Sequence, residues 1–161
     1  MATTYSGLKS EIASWLNRSN LTSVIPTFIA LAEGEMNRKL RTQEMQARAA
    51  GTISANPLDL SSELTRYAGK IRSMSITYNG IEYTLNYISP DQLAARYSGT
   101  ASGIPQYYTT VDTDLYVDPA PDSSYSWVIH YYQGINPLSD TNTTNWVLTA
   151  HPDLYLVAAQ Y

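Results

Sequence analysis

The chain has 161 residues, no cysteine and a formal net charge of −4, so its length suits one domain and disulfide or thiolate chemistry is excluded. Only 15% of its residues are charged, against about a quarter in typical soluble domains. Tyrosine is abundant, with 14 Tyr beside one Phe and three Trp, and because Tyr joins an apolar ring to a hydroxyl that needs a partner, this composition favours faces that contact other proteins.

A helical hairpin is predicted for residues 6–44. With Ser6 as N-cap, residues 6–18 place four apolar side chains on one helical stripe: Leu8, Ile12, Trp15 and Leu16. After a break at Ser19 and Asn20, a second helix has a similar face: Leu21, Ile25, Phe28, Ile29, Ala32, Met36 and Leu40. Pro26 falls in its first turn, where the missing N–H is tolerated, and Glu35 and Lys39 have the spacing of an ion pair. The apolar stripe is interpreted as core or subunit packing.

From about residue 45 the hydrophobic period changes to two, which predicts β structure. Residues 81–88 alternate as a half-buried strand does, with four apolar positions: Ile81, Tyr83, Leu85 and Tyr87. Asn79 and Gly80 predict a tight turn that joins this strand to a preceding one at 74–78. Ser89 and Pro90 then predict a short capped helix, followed by a Gly/Ser loop at 98–104.

The remaining elements continue the antiparallel pattern and end in a helix. A second hairpin is predicted at 106–118, turning at Asp112 and Thr113. The next strand has one apolar face: Tyr125, Trp127, Ile129 and Tyr131. A polar crossover that contains Trp146 leads to a terminal helix beginning at Pro152, whose apolar residues are Leu154, Leu156 and Val157. Trp146 is interpreted as an anchor for residues 134–150, either on the chain's own body or on a neighbouring subunit.

The predicted fold class is α+β, with an N-terminal helical hairpin, a mostly antiparallel β region with a short inserted helix, and a C-terminal helix. The predicted organisation is a single domain over residues 1–161. Its parts are the hairpin at 6–44, the β region at 45–133, and the crossover loop and terminal helix at 134–161.

No catalytic, cofactor-binding or metal site is predicted. His130 and His151 are 21 residues apart in the sequence and have no neighbouring ligand spacing. The segment containing Asp112, Asp114 and Asp118 lacks the glycine and terminal glutamate of a calcium loop, and a tight turn explains it. No signal peptide and no apolar run of the ~18 residues that span a bilayer is found, so no membrane association is expected.

Charge is distributed unevenly along the chain. All ten Lys and Arg lie within residues 1–96, whereas residues 97–161 carry six Asp and no basic residue. The acidic half is either a solvated face, a surface for a basic partner, or the lining of a space where binding DNA would be harmful. The basic run Arg38, Lys39 and Arg41 either interacts with the dipole at the end of its helix or forms a patch for a partner.

The ordered set of segments resembles the adaptor, or head-to-tail connector, proteins of tailed bacteriophages. The segments that carry this resemblance are "ASWLNR", "IPTFIALAEGEMNRKLR", residues 103–146 from "GIPQYYTTVDTDLYVD" to "TNTTNW", and "LTAHPDLYLVAA". Together they cover most of residues 6–159. Members of the family are expected to continue in helical sequence beyond "PDLYL", so the stop at Tyr161 indicates either a trimmed sequence or an end that finishes folding against a partner.

The resemblance implies a structural virion protein without enzymatic activity or cofactor. It implies a homo-oligomeric ring, twelvefold like the portal, that binds the portal protein and offers a docking surface to the tail nozzle or tail tube protein. Genomic DNA would pass through without specific binding. The expected location is the head–tail junction of the virion, after assembly in the host cytoplasm. The residues expected at its interfaces are Arg38, Lys39, Arg41, Tyr107, Tyr108, Tyr131, Tyr132, Trp146, Asp153 and Tyr155.

Two other classes of function are compatible with the sequence. A carbohydrate-binding or receptor-binding tail component is suggested by aromatic residues that stack on sugars, with Trp127 and Trp146 as candidates. A small hydrolase that uses dispersed carboxylates is the third hypothesis, although no carboxylate pair in the sequence points to one.

Overall fold

The computed structural model describes residues 2–17, 23–96 and 102–158. The chain forms two compact units, one from residues 1–45 together with 134–161 and one from residues 46–133. Four predictions lie outside the described residues: the break at Ser19 and Asn20, the position of Leu21 on the face of the second helix, most of the Gly/Ser loop at 98–104, and the end of the chain after residue 158. The α+β class with mostly antiparallel sheets is confirmed.

The first unit is helical. Its elements are α1 (Tyr5–Trp15), α2 (Ile25–Lys39), a 3-10 turn (Gln43–Met45), α5 (Trp146–Ala150) and α6 (Pro152–Ala158). Its core joins both parts of the sequence, with α6 packing against α1, α2 and α5. The buried apolar residues are Tyr5, Leu8, Ile12, Ile25, Ile29, Ala32, Met36, Ile135, Leu138, Val147, Leu148 and Tyr155, together with Ala2.

Helix α1 differs from its prediction at both ends. Thr4, rather than Ser6, is the N-cap, because its hydroxyl accepts a hydrogen bond from the Gly7 N–H. Leu8 and Ile12 are buried as predicted, but Trp15 is 61% exposed. Leu16 is partly buried against the same core, so the helical period identified the correct stripe except at Trp15.

The second unit contains the β structure. Its elements are β1 (Gln46–Ile53), β2 (Leu58–Asp59), α3 (Leu60–Glu63), β3 (Tyr67–Tyr78), β4 (Ile81–Thr84), β5 (Asn86–Tyr87), α4 (Pro90–Arg96), β6 (Ser102–Gly103), β7 (Tyr107–Val111), β8 (Asp114–Asp118), β9 (Ala120–Pro121) and β10 (Tyr125–Gln133). One sheet has the order β1-β10-β3-β4 and a second has the order β2-β8-β7-β5. All ladders are antiparallel except the short β5–β7 and β6–β9 pairs.

Both predicted hairpins and their turns are confirmed. Asn79 (φ 51°) and Gly80 (φ 78°) both have positive φ, as a type I′ turn requires, and its twist matches that of the strands β3 and β4. In the second hairpin Asp112 (φ 56°) begins the turn between β7 and β8. The predicted helix α4 is also confirmed: the Gln92 N–H donates to the Ser89 hydroxyl, and the Ser89 N–H donates to the Gln92 side-chain oxygen, which forms a capping box.

Strand β10 is central to its sheet and confirms the predicted face, since Tyr125, Trp127, Ile129 and Tyr131 are all buried. The prediction for residues 81–87 was wrong in its burial: Leu85 is buried, but the other apolar residues are exposed, namely Ile81, Tyr83 and Tyr87. Strand β4 lies at the edge of its sheet, where alternation in the sequence does not guarantee that either face is covered.

Gly51 lets strand β1 approach the ring of Trp127. The two residues are directly paired across the β1–β10 ladder, and a Cβ atom at position 51 would lie 2.7 Å from Trp127 Cζ2. This contact is shorter than a carbon–carbon contact allows. The glycine is therefore required by the packing of the largest buried side chain in this unit.

Candidate functional site

The basic residues predicted for an interface lie at the end of α2, on the solvent side. The Glu35 carboxylate accepts from Lys39 Nζ at 2.7 Å and from Arg38 Nη2 at 2.5 Å. The predicted Glu35–Lys39 pair is therefore confirmed. Hydrogen bonds from Lys39 and Arg38 lower the pKa of Glu35 to about 2, so one carboxylate remains ionised between two cations. Arg41 Nη1 donates to the carbonyl oxygens of Asn37 and Leu40, as expected of a cation that satisfies the last carbonyls of a helix.

The predicted tyrosines fall into two groups. Tyr107 and Tyr132 are partly exposed, and Tyr107 carries the Arg96 guanidinium 4.2 Å from its ring centroid. Tyr108 and Tyr131 are buried in the core of the β unit, where Tyr131 donates its hydroxyl to the Thr65 carbonyl. Alternation along a strand identified which residues share a face, but it could not tell a core face from a contact face.

A buried polar network connects the predicted residue Tyr155 to Glu33. The Tyr155 hydroxyl donates to Glu33 Oε1 at 2.9 Å, and the Leu138 N–H donates to the same oxygen at 3.0 Å. Asn145 Nδ2 donates to the Tyr155 hydroxyl oxygen at 2.8 Å and to the Asn136 carbonyl at 2.9 Å. Burial raises the pKa of Glu33, although these hydrogen bonds oppose the shift. Burial also raises the pKa of Tyr155 above its usual range.

This network corrects the reading of the C-terminal residues. Trp146 does not lie in a loop but begins α5, whose N-cap is Asn145, and its partly buried ring packs on the helical core. The terminal helix begins at Pro152, as predicted, but it buries Tyr155 and leaves Leu154 and Val157 exposed. Asp153 lies in its first turn and is exposed. The physical reason that Trp146 lies in a helix is Asn145, whose side chain caps the start of α5 at the end of the crossover.

Sequence reasoning missed Glu33 and Asn145. Glu33 lies four residues after Ile29 and three before Met36, so it belongs to the buried face of α2. A charged residue at such a position predicts a buried partner network, and this was the available signal. The sequence signal for Asn145 was its residue type, which is preferred at helix N-caps, directly before the apolar pair Trp146 and Val147.

A pocket that the sequence did not predict lies against α4. It has a volume of about 290 Å³ and is lined mainly by apolar side chains. The lining residues are Asn56, Pro90, Leu93, Ala94, Thr109, Val111 and Tyr116. This cavity is called the α4 pocket below. It is formed by one helix, the β7–β8 hairpin and Asn56, whose side-chain amide is held by the backbone of Val117.

The two histidines and the aspartates of the second hairpin lie on separate elements. His130 and His151 are exposed, on β10 and just before α6. Within the described part of the chain, no three His, Asp or Glu side chains are grouped as metal ligands. In the ranges 2–17, 23–96 and 102–158, no helix has the length and hydrophobicity that crossing a bilayer requires.

The α+β chain has a solvent-facing basic cluster, partly exposed tyrosines and several exposed large apolar residues. The sequence matches the family described as SU10 adaptor protein over residues 3–161, and the chain belongs to this family. It is thus a structural adaptor of the bacteriophage virion, and the family implies interaction with portal and tail components. No curated protein matches the sequence.

Proposed function

We propose that the chain forms a twelvefold ring beneath the portal, where it lengthens the DNA channel and provides a docking platform for the tail nozzle or tail tube. The observation that carries this proposal is the family match, which covers residues 3–161. The ring assembles in the host cytoplasm and remains at the head–tail junction. In this role the chain has no catalytic activity, and residues 1–161 act as one adaptor domain.

Exposed apolar side chains support a role in assembly. Leu31, Ile81, Tyr87 and Trp15 are each more than half exposed, in a chain whose charged fraction is only 15%. Aromatic residues are enriched and most charged residues are depleted at the centres of protein interfaces. Burial of these side chains between subunits would remove apolar area from water and favour a ring.

The proposed interfaces use the surface-accessible members of the predicted set. These residues are Arg38, Lys39, Arg41, Tyr107, Tyr132, Trp146 and Asp153. Tyr108, Tyr131 and Tyr155 are buried within single units, so they are not included among the proposed contact residues.

The distribution of charge supports passage of DNA without retention. Residues 97–161 carry six Asp and no Lys or Arg, and affinity for the phosphate backbone depends on cations. An acidic surface that lines a channel would repel the genome weakly at every position and bind it at none.

The alternative of a sugar-binding tail component loses one of its two aromatic candidates. Trp127 is 1% exposed, and Trp146 is partly buried in the helical core. The ring of Trp127 therefore presents no open face for stacking on a sugar, and Trp146 is the remaining candidate of the two.

The proposal is tested by imaging the purified chain mixed with its portal protein by electron cryomicroscopy. The expected result is a closed ring on the portal whose symmetry equals that of the portal. A chain that stays monomeric and does not bind the portal would contradict the proposal. Binding to a glycan array that is lost on changing Trp146→Ala would favour the sugar-binding alternative.

A further inference from the structure

The α4 pocket contains a buried hydroxyl that has no partner. Thr109 is 1% exposed, and its Oγ1 has no hydrogen-bond partner among the residues that the structure describes. The nearby amide of Asn56 is already used, because its oxygen and nitrogen both bond to the backbone of Val117. A buried hydroxyl without a hydrogen bond is unfavourable, so the pocket is suited to an occupant that is mostly apolar and brings one polar group.

The size of the pocket limits what that occupant can be. Its volume of about 290 Å³ lies at or below the lower end of the range of pockets for drug-sized molecules, which begins at roughly 300 Å³. One large side chain fills such a space. Leu93, Pro90 and Val111 supply apolar walls, and Thr109 supplies an oxygen that can accept a hydrogen bond.

The chain itself presents a side chain of this kind. Trp15 is 61% exposed at the last turn of α1, beyond the buried residues Leu8 and Ile12. An indole combines a large apolar ring with a single N–H that donates and cannot accept. Trp15 therefore matches both properties of the α4 pocket, the apolar walls and the free acceptor, whereas the exposed leucines and valines match only the first.

We propose that Trp15 of one copy of the chain inserts into the α4 pocket of the next copy, where its indole N–H donates to Thr109 Oγ1. This inference rests on the ring proposed above and specifies one of its subunit contacts. Each copy contributes one tryptophan and one pocket, so the contact joins different surfaces of the two copies. Such heterologous contacts generate a closed ring when the rotation between copies closes.

Cross-linking on the assembled ring tests the contact directly, because the chain contains no native cysteine. Ser14→Cys places a thiol beside Trp15 without removing it, and Ala94→Cys places one at the α4 pocket. The two variants are mixed, assembled on the portal protein and treated with a short bismaleimide. We expect dimers in the mixture and none in either variant alone, because the contact is heterologous. The matched control replaces Ala94→Cys with Ser126→Cys, at an exposed position on β10, and should give no dimers.

A double-mutant cycle tests the hydrogen bond. Trp15→Phe keeps an aromatic ring and removes the N–H, and Thr109→Val removes the acceptor while keeping the volume. Each single change should weaken subunit association roughly tenfold, because it leaves a buried polar group unpaired. The double variant should lose no more than a single one. Thr109→Ser should retain near-normal association, since it keeps the hydroxyl.

The results separate this inference from the proposed function. A ring on the portal that forms without the Ser14–Ala94 cross-link, or with additive effects of Trp15→Phe and Thr109→Val, overturns the contact and leaves the adaptor role standing. A cross-link from Ser14→Cys to the portal protein also overturns it, since Trp15 would then bind another protein. If no ring forms at all, both the contact and the proposed function fail.

Discussion

Tyr155 and Glu33 are 122 positions apart in the sequence and share a hydrogen bond of 2.9 Å in the helical core. Tyr155→Phe keeps the ring and removes the hydroxyl, which leaves one fewer donor for the Glu33 carboxylate. We expect the free energy of unfolding to fall by about 1–3 kcal/mol, measured by urea denaturation. Tyr87→Phe is the control: its side chain is 59% exposed, so a change within about 0.5 kcal/mol is expected. Equal stability of wild type and Tyr155→Phe would contradict this account of the network.

The same network predicts a dependence on pH. Burial raises the pKa of Glu33 above its usual value of 4.5, so the folded chain binds this proton more tightly than the unfolded chain. The contribution of Glu33 to stability is therefore largest below pH 4.5 and decreases as the pH rises through the folded-state pKa. The contribution of Glu35 to stability depends on pH in the opposite direction. Because its pKa is lowered, this contribution is lost as the pH falls from about 4.5 to 2.

A difference measurement isolates Glu33 from the other carboxylates. Glu33→Gln keeps a side-chain oxygen for the Leu138 and Tyr155 donors but cannot ionise. The stability of Glu33→Gln relative to wild type should increase as the pH rises from about 4 to 7, in parallel urea titrations. A difference that is flat over this range would show that Glu33 titrates as it does in the unfolded chain, and one that falls would show that folding lowers its pKa. Either result would contradict the expected shift.

Gly51 is expected to be intolerant of substitution because of its contact with Trp127. In Gly51→Ala the new Cβ would lie 2.7 Å from Trp127 Cζ2, and overpacking of this kind costs about 1–3 kcal/mol. Gly34→Ala is the control, and its effect on stability should be opposite to that of Gly51→Ala. Its nearest neighbour is the flexible end of Arg38 at 3.6 Å, so replacing a helical glycine should stabilise the chain by about 0.5–1 kcal/mol. Thermal unfolding of both variants measures the two effects.

The hydroxyl of Thr109 is expected to lower the stability of the isolated chain and to strengthen the association of subunits. In the isolated chain, Thr109→Val replaces an unpartnered buried hydroxyl with a methyl group, and should raise the free energy of unfolding by about 1 kcal/mol. Thr110→Val is the neighbouring control: the Thr110 side chain is hydrogen-bonded to Tyr67, so losing its hydroxyl should not stabilise the chain. If Thr109→Val destabilises the monomer, its hydroxyl has a partner in solution.

Local signals in the sequence were sufficient for most of the fold. The Asn79–Gly80 turn, the Ser89–Gln92 capping box and the buried face of β10 follow from backbone preferences and periodicity. The turn and the capping box are readable because the interactions that fix them lie within a few residues of each other, and the shared face of β10 is readable because its apolar residues alternate. The short helices α3 and α5 were not predicted, since four or five residues show too little of a helical period.

The candidate sites depended on contacts that periodicity does not contain. Whether Trp15 is buried depends on what covers the end of α1, and whether Tyr131 or Tyr155 faces solvent depends on partners far away in the sequence. The α4 pocket is assembled from three separate segments around Thr109. None of these relationships leaves a pattern within a single window of the sequence.

The division of the chain into units has a consequence for the order of folding during synthesis. Residues 46–133 form a contiguous unit, whereas the helical unit needs residues from both 1–45 and 134–158. On the ribosome the β unit can therefore close its core while α1 and α2 still lack Val147, Leu148 and Tyr155. Until α5 and α6 emerge, the apolar surfaces of α1 and α2 that pack against α6 remain exposed, and such exposed surfaces favour aggregation of the nascent chain.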